Sequence, residues 1–157
     1  MATKGKPFVF RMGGLTDRLM KAMSSSNVWV YRATGGRLMG RFPGGGQPLL
    51  LLTTIGRKSG QPRTTPLIYL KDGADLVIVA SKGGMDEHPL WYTNLVAQPD
   101  VEVEVGPRRL PMRAHTTSPE DRARLWPQLV ALYPDYGVYQ QRTDREIPVV
   151  VLSPRAP

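Results

Sequence analysis

The stretch from Pro48 to Leu70, P-L-L-L-L-T-T-I-G-R-K-S-G-Q-P-R-T-T-P-L-I-Y-L, constrains this chain more than any other. Leu49 to Leu52, with Ile55, form an apolar run that reads as a buried strand. The run breaks at Gly56, and a second strand begins near Thr64. Gly and Pro on either side demand a tight connection between the two. Its tip carries Arg57, Lys58 and Ser59 between Gly56 and Gly60, with Arg63 across the turn. Cations, a hydroxyl and turn amides together suit an anionic ligand such as a phosphate. The plain alternative is a basic, solvated hairpin loop, but the flanking apolar strands fix the cluster's position in either case. A Walker A loop is excluded, because Arg57 stands where glycine is required before Lys58 and no helix pattern follows Ser59.

A second hairpin turn, Lys71-Asp72-Gly73, leads to a third strand, Leu76 to Ala80. Three strands with short links make an antiparallel meander. A doubly wound parallel sheet would need helices between them. The third strand ends in Ser81-Lys82-Gly83-Gly84, again a hydroxyl, a cation and glycines. This is either an ordinary glycine turn or the second half of a shared anion or cofactor site. Val79 occupies the first glycine position of a G-x-S-x-G elbow, which argues against a serine hydrolase.

Helical spacing runs from Leu15 to about Arg32, through Leu15, Leu19 and Met23, with Met20, Val28 and Trp29 widening the stripe. Thr16 is the expected N-cap and Gly35-Gly36 the expected stop, while Ser24-Ser25-Ser26 marks a kink or break. Such a helix either packs on the core or lies, basic and amphipathic, on a membrane surface or over a lipophilic substrate. Gly36 to Gln47 reads as a glycine-rich connector. A short helix is expected over Glu87 to Val96, with Pro89 in its first turn. Its Trp91 and Tyr92 serve either the core or the wall of a flat ring, with Asn94 as a polar contact. Val101, Val103 and Val105 alternate with Glu102 and Glu104, a half-buried strand with a polar face. After Gly106-Pro107, Leu110 to Ala114 begins another strand. Thr117-Ser118-Pro119-Glu120 starts a helix, and Pro127 inside it predicts a kink or break. Tyr133, Tyr136 and Tyr139 recur every third residue and would share a helix face, either packed on the core or lining a pocket. Ile147 to Leu152 is a last apolar strand.

The sum is an α+β chain of about six mostly antiparallel strands, closing as a barrel with flanking helices. Its 157 residues suit one domain. Residues 1–36 read as a tail with the basic amphipathic helix, and 37–157 as the barrel. Cysteine is absent, and the two histidines, His88 and His115, lack ligand spacing, so no metal site is expected. A formal charge of +8 draws in anions, whether nucleic acid, acidic lipid headgroups or a polyanionic small ligand. No apolar run approaches a membrane span and no signal-peptide core is visible. The expected location is the cytoplasm, with peripheral contact at the inner face of the cell membrane left open.

Four motifs, T-T-I-G-R-K-S-G-Q-P-R-T-T-P-L, A-S-K-G-G, P-L-W-Y-T-N-L and W-P-Q-L-V-A-L-Y-P-D-Y-G-V-Y-Q, follow one another in this order. Together they resemble the deazaflavin (F420)-dependent nitroreductase and quinone reductase family of actinobacteria, from about the first helix to the last strand. The resemblance implies a split β-barrel, similar to the FMN-binding split barrels, that binds coenzyme F420. It puts Arg57, Lys58 and Ser59 at the cofactor phosphate, and Arg63, Thr64, Thr65, Pro66, Leu67 and Ile68 along the next part of the cofactor. Ala80, Ser81 and Lys82 match the segment beside the ring, and Leu90, Trp91, Tyr92, Thr93 and Asn94 the helix that borders it. Tyr136 matches a tyrosine near deazaflavin and substrate, with Tyr133 and Tyr139 as pocket companions. Catalytic roles fall to Tyr136, helped by Tyr133 and Ser81. The chain departs from the family where an aromatic often follows P-L, since Ile68 stands there and Tyr69 comes next. The implied reaction is hydride transfer from reduced F420 to a lipophilic, menaquinone-like quinone or to a nitroaromatic or nitroimidazole compound. An FMN-dependent reductase on a similar barrel and a small basic nucleic-acid-binding domain are the alternatives. The second is disfavoured, because the aromatics cluster in helical segments rather than along strands.

Overall fold

The computed structural model describes residues 26–43 and 45–155. Seven strands form one sheet: β1 (Leu49–Ile55), β2 (Pro62–Ile68), β3 (Leu70–Asp72), β4 (Asp75–Val79), β5 (Asp100–Val105), β6 (Arg108–Thr116) and β7 (Val149–Pro154). Their order is β2-β1-β5-β6-β7-β4-β3, and every pairing is antiparallel. The helices are α1 (residues 26–34), α2 (Leu90–Ala97), α3 (Pro119–Leu132) and α4 (Asp135–Arg142).

The extra strand comes from dividing the expected strand after Thr64. β2 pairs with β1 from Leu49↔Ile68 to Ile55↔Pro62, and β3 pairs with β4. Tyr69 alone separates Ile68 from Leu70, yet the two halves lie at opposite ends of the strand order. The two edges of the sheet therefore come within about 7 Å of each other there, the reach of two residues. The sheet has to curl, and the expected antiparallel barrel results.

The apolar runs lack alternation because the wall is covered on both faces. Leu50 and Leu52 face inward with Ile78, Val103, Met112 and Leu152, and α2 adds Trp91 and Leu95 to that cluster. Leu51 faces outward beneath Val28 and Tyr31 of α1. On β4 and β7 the outward residues Val77, Val79, Val149 and Val151 pack against Leu125 and Leu129 of α3 and Tyr136 of α4.

The described helix α1 includes Ser26, so the chain is already helical at the last of the three serines. The stripe from Leu15 to Met23, the Thr16 cap and Ser24-Ser25 lie outside the described residues. The helix ends where expected. Gly35 and Gly36 take φ of +61° and +80°, and the Gly36 N–H donates to the Tyr31 carbonyl at 2.8 Å. A Cβ at Gly36 would also stand 2.8 Å from the Gly106 Cα, so the close approach of α1 to the β5–β6 turn requires glycine. The segment that follows is a loop, and it is tied down. Phe42 N–H donates to the Gln47 carbonyl at 2.8 Å, and the Gln47 side chain donates to the Leu132 carbonyl at 3.2 Å.

Three expectations are corrected. Glu104, assigned by alternation to a polar strand face, is only 6% exposed. The outer face of β5 lies under α1, where Arg32 reaches both carboxylate oxygens, Nε to Oε1 at 3.0 Å and Nη2 to Oε2 at 2.8 Å. Pro127 does not break α3, which runs continuously from Pro119 to Leu132. Leu125 and Leu129 anchor the helix to the barrel on either side of the proline, which removes one N–H without freeing a packed turn. The break comes later, at Tyr133-Pro134, so the three tyrosines do not share one helix. Tyr133 caps α3, while Tyr136 and Tyr139 belong to α4.

Tyr31 joins α1 to the barrel by hydrogen bonds as well as by packing. Its hydroxyl accepts from the Gly106 N–H at 2.7 Å and faces the carbonyls of Leu49 and Glu104 at 3.2 and 3.3 Å. Tyr31→Phe would leave the Gly106 N–H without its partner. We expect a loss of about 1–3 kcal/mol in unfolding free energy by denaturant titration, with an unchanged m-value.

Candidate functional site

Strand registers bring both cationic turns to one rim of the barrel. Thr53 lies opposite Glu102, Asp100 opposite Arg113, Thr116 opposite Val150, and Val149 opposite Val79. The C-terminal ends of β1, β6 and β4 therefore share a rim with the starts of β5 and β7. The turn after Ile55 and the turn after Val79 both rise from it. They do not follow adjacent strands in the sheet, because β5, β6 and β7 lie between β1 and β4; across the closure only the β2–β3 strand intervenes.

The first turn, residues 56–61, is closed by the Gly60 N–H on the Gly56 carbonyl and the Gly56 N–H on the Gln61 carbonyl, each at 2.8 Å. Ser59 Oγ accepts from the Gln61 N–H at 3.2 Å. Asn94 of α2 pins the turn from the side. Its Oδ1 accepts from the Arg57 N–H at 3.1 Å and its Nδ2 donates to Thr54 Oγ1 at 3.2 Å. With its amide so engaged and only 7% exposed, Asn94 fixes the turn against the helix. The side chains of Arg57, Lys58 and Arg63 form no ion pair with any described acid. The N–H groups of Lys58 and Ser59 likewise have no partner among the described residues.

This turn forms one bank of a cleft of about 880 Å³. Arg57, Lys58, Ser59, Arg63, Thr64 and Thr65 line it on one side, and Leu90, Trp91 and Asn94 of α2 on the other. Nine of the candidate residues thus converge on one concave surface that is cationic at one bank and apolar and aromatic at the other. Val28, Gly56 and Pro62 complete the lining. Val28 was legible only as part of a helical stripe, with nothing to say that α1 borders this cleft.

The remaining candidates lie elsewhere. Leu67 packs against the barrel interior, where Ala80 is fully buried, and Ile68 is buried too. Pro66 belongs to the half-buried part of β2. Thr93 turns its hydroxyl back to the Leu90 carbonyl at 2.9 Å. Tyr92 packs at a tilt against His88 with ring centroids 4.8 Å apart, and its hydroxyl meets Thr116 Oγ1 at 2.9 Å.

Ser81 and Lys82 open the short 3-10 turn Lys82–Gly84. Lys82 pairs with Glu87 at 3.2 Å, in contrast to the cations of the first turn. Gly84 packs directly on α4: a Cβ there would stand 2.6 Å from the Tyr139 carbonyl oxygen, and its φ is +79°. The second turn and the tyrosine helix therefore form one packed unit. α2 joins that unit to the cleft, since Trp91 walls the cleft while its neighbour Tyr92 contacts His88 of the segment that follows the second turn.

The tyrosines do form a cluster. Tyr133 meets Tyr136 edge-on at 4.9 Å between centroids, and the Tyr133 and Tyr139 hydroxyls are 3.2 Å apart. Phe42 packs edge-on against Tyr133 at 5.5 Å. Tyr136 is 5% exposed, yet its hydroxyl has no hydrogen-bond partner among the described residues. Burial, and secondarily the Tyr139 phenol, raise its ionisation well above the ordinary tyrosine range. Tyr133 is raised as well, first by its hydrogen bond to Tyr139 and then by burial. Both phenols stay protonated, and Tyr136 has a hydrogen to donate.

The family model described as F420H(2)-dependent quinone reductase matches residues 23–154. An F420H(2)-dependent quinone reductase of Mycobacterium tuberculosis is 50% identical over 129 residues, which are 80% of this chain and 86% of that protein. A solved F420-H2 dependent reductase shares 42% identity at a TM-score of 0.63, covering 68% of this chain and 94% of its own. A solved domain-swapped dimer covers 89% of this chain and 100% of its own, at 35% identity and a TM-score of 0.66. The split-barrel fold implied by the four motifs is borne out, and with it the oxidoreductase class. The chain belongs to the F420H(2)-dependent quinone reductase family.

Proposed function

We propose that this protein reduces a lipophilic, menaquinone-like quinone at the expense of reduced F420, with nitroaromatic and nitroimidazole compounds as adventitious acceptors. Coenzyme F420 is the cofactor on which the family depends. The residues present fit it. An anionic arm needs unpaired cations and free amides, and the first turn offers Arg57, Lys58 and Arg63 with the N–H groups of Lys58 and Ser59. A flat ring needs an apolar wall, and Trp91 and Leu90 supply one. The observation that carries the reading is this cleft, cationic at one bank and aromatic at the other, on the rim that also holds Ser81.

When bound and reduced, F420 would supply the hydride. The protein's part is to hold, orient and keep dry. Arg57, Lys58 and Arg63 hold the anionic arm, and Asn94 keeps their turn in place. Trp91 limits where a planar ring can lie. A quinone oxygen gains negative charge as hydride arrives at the acceptor, and a neutral donor close to it lowers that barrier. Tyr136 is assigned this role because its hydroxyl is protonated and uncommitted. Tyr133 packs on the Tyr136 ring and holds its orientation, and Ser81 at the rim offers a second hydroxyl. Tyr139, tied to Tyr133, shapes the acceptor side.

A lipophilic acceptor also suits a peripheral position on the inner face of the cell membrane. No described helix is long and apolar enough to span a bilayer. Trp29, 71% exposed, is next to Val28 of the cleft lining, and Leu90, itself part of that lining, is 70% exposed. Together with the cations nearby they suit a shallow contact with acidic lipid.

Two outcomes test the reading. Arg57→Ala with Lys58→Ala is expected to weaken F420 binding roughly tenfold or more in a fluorescence titration, with a smaller salt dependence than the parent. Equal affinity in parent and variant would remove the phosphate assignment. Tyr136→Phe is expected to lower kcat with a quinone acceptor by roughly a hundredfold at little cost in F420 affinity. An unaltered kcat would take Tyr136 out of the reaction.

A further inference from the structure

One guanidinium holds together the segment that carries the second cationic turn. Arg145, in the link between α4 and β7, donates from Nε to the Met85 carbonyl at 2.8 Å and from Nη2 to the Ser81 carbonyl at 2.8 Å. Its Nη1 donates to the Ala80 carbonyl at 3.2 Å and also meets His88 Nδ1 at 3.2 Å. Thr143, two residues earlier, donates to Asp86 Oδ1 at 2.9 Å and accepts from the Arg145 N–H at 3.3 Å. Residues 80–88 are thus gripped at the start, in the middle and at the end from one short stretch of chain.

The bond to His88 has a chemical condition attached. A guanidinium has donors only. The contact therefore exists only while Nδ1 keeps its lone pair, which places the one ring hydrogen of His88 on Nε2. A doubly protonated imidazole would set an N–H and a positive charge against the guanidinium.

We infer that Arg145 and neutral His88 form a positioning pair that fixes Ser81 and Lys82 at the rim, and that acid releases this turn by protonating His88. What the turn serves rests on the F420 reading above; how it is held does not. The groups around the imidazole are few. Arg145 faces it from the α4–β7 link, and Tyr92 of α2 packs against it at a tilt, 4.8 Å between centroids. Asp86, Glu87 and Lys82 belong to its own segment. Asp86 is engaged by Thr143 and Glu87 by Lys82, so no described carboxylate bonds the imidazole and favours its charged form. Burial, followed by the Arg145 charge, lowers the imidazole below its ordinary value of 6.5. For a base so shifted, the His88 part of the grip is complete above about 6.5 and is lost as pH falls through the lower folded-state value, where imidazolium and guanidinium repel and strain the carbonyl bonds that remain.

The test uses two readouts between about pH 7.5 and about pH 5: amide hydrogen exchange over residues 80–88 without added cofactor, and F420 titration. In the parent protein, protection factors of these amides are expected to fall on acidification. F420 affinity is expected to fall roughly tenfold more than it does in H88N. That variant offers an amide oxygen to Arg145 and cannot titrate, so its loop protection should be flat with pH. Arg145→Lys keeps the charge and loses the fork, and should exchange fast over 80–88 at every pH. The same acid dependence in H88N and parent would overturn the inference, as would full protection in Arg145→Lys. Failure of the parent to bind F420 at about pH 7.5 would instead sink the cofactor reading, and the exchange data would still decide the pair.

Discussion

A single strand that borders the sheet on both sides is the constraint on which this molecule depends. β2 and β3 are one extended segment interrupted at Tyr69, and they lie at opposite ends of a seven-stranded order. Once Ile68 pairs with Leu49 and Leu70 with Val77, the sheet cannot stay open. Closure creates the interior that Leu50, Leu52, Ile78 and Met112 fill, and α2 plugs one end of it with Trp91 and Leu95. It also leaves the wall incomplete at that end. β4 runs on from its pairing with Leu70 to Val79, while β2 pairs with β1 alone. Both cationic turns rise from this rim, and α2 lies against it.

The outer face of the barrel decides where the helices go and what they bring. Val77, Val79, Val149 and Val151 would stand in water if α3 and α4 did not cover them. Covering them delivers Tyr136 to the side of the second turn. On the far side α1 covers Leu51, and in doing so buries Glu104. A carboxylate in that place is tolerable because Arg32 meets it with a forked pair of hydrogen bonds. Arg32 Nη2 also reaches Thr64 Oγ1 at 3.5 Å, and Thr64 lines the cleft. The same packing sets Val28 in the cleft wall, so one helix serves both stability and the site.

Electrically the two turns differ. The cations of the first have no acid partner among the described residues, while Lys82 of the second is paired with Glu87. An incoming polyanion therefore meets its strongest field at Arg57, Lys58 and Arg63. The second turn is held by carbonyl contacts from Arg145, a geometry that fixes backbone rather than presenting charge.

Local rules were legible in the amino-acid order because they act between near neighbours. The hairpin at Gly56–Gly60, the stop at Gly35-Gly36 and the helix start at Thr117-Ser118-Pro119-Glu120, where the Asp121 N–H donates to Ser118 Oγ at 3.2 Å, all follow from turn and capping chemistry within a few residues, and the antiparallel class follows from short links. The cationic composition of the first turn was equally plain. The division at Tyr69 was not, since nothing in T-T-P-L-I-Y-L marks the point where a strand must change partners to close a barrel. Alternation put Glu104 in water because it describes one strand, whereas its burial depends on α1 lying across the outside of β5. Pro127 reads as a break by propensity, but packing on both sides of it holds the helix. Arg145 sits in a polar segment that no motif flags, and its role exists only because the fold brings residues 80–88 alongside. The chain's order determined which segments become strands and turns, since those choices are settled within a few residues. Which turns share a rim, and which charges are buried, were decided only by closure and packing, since these join residues far apart in the chain.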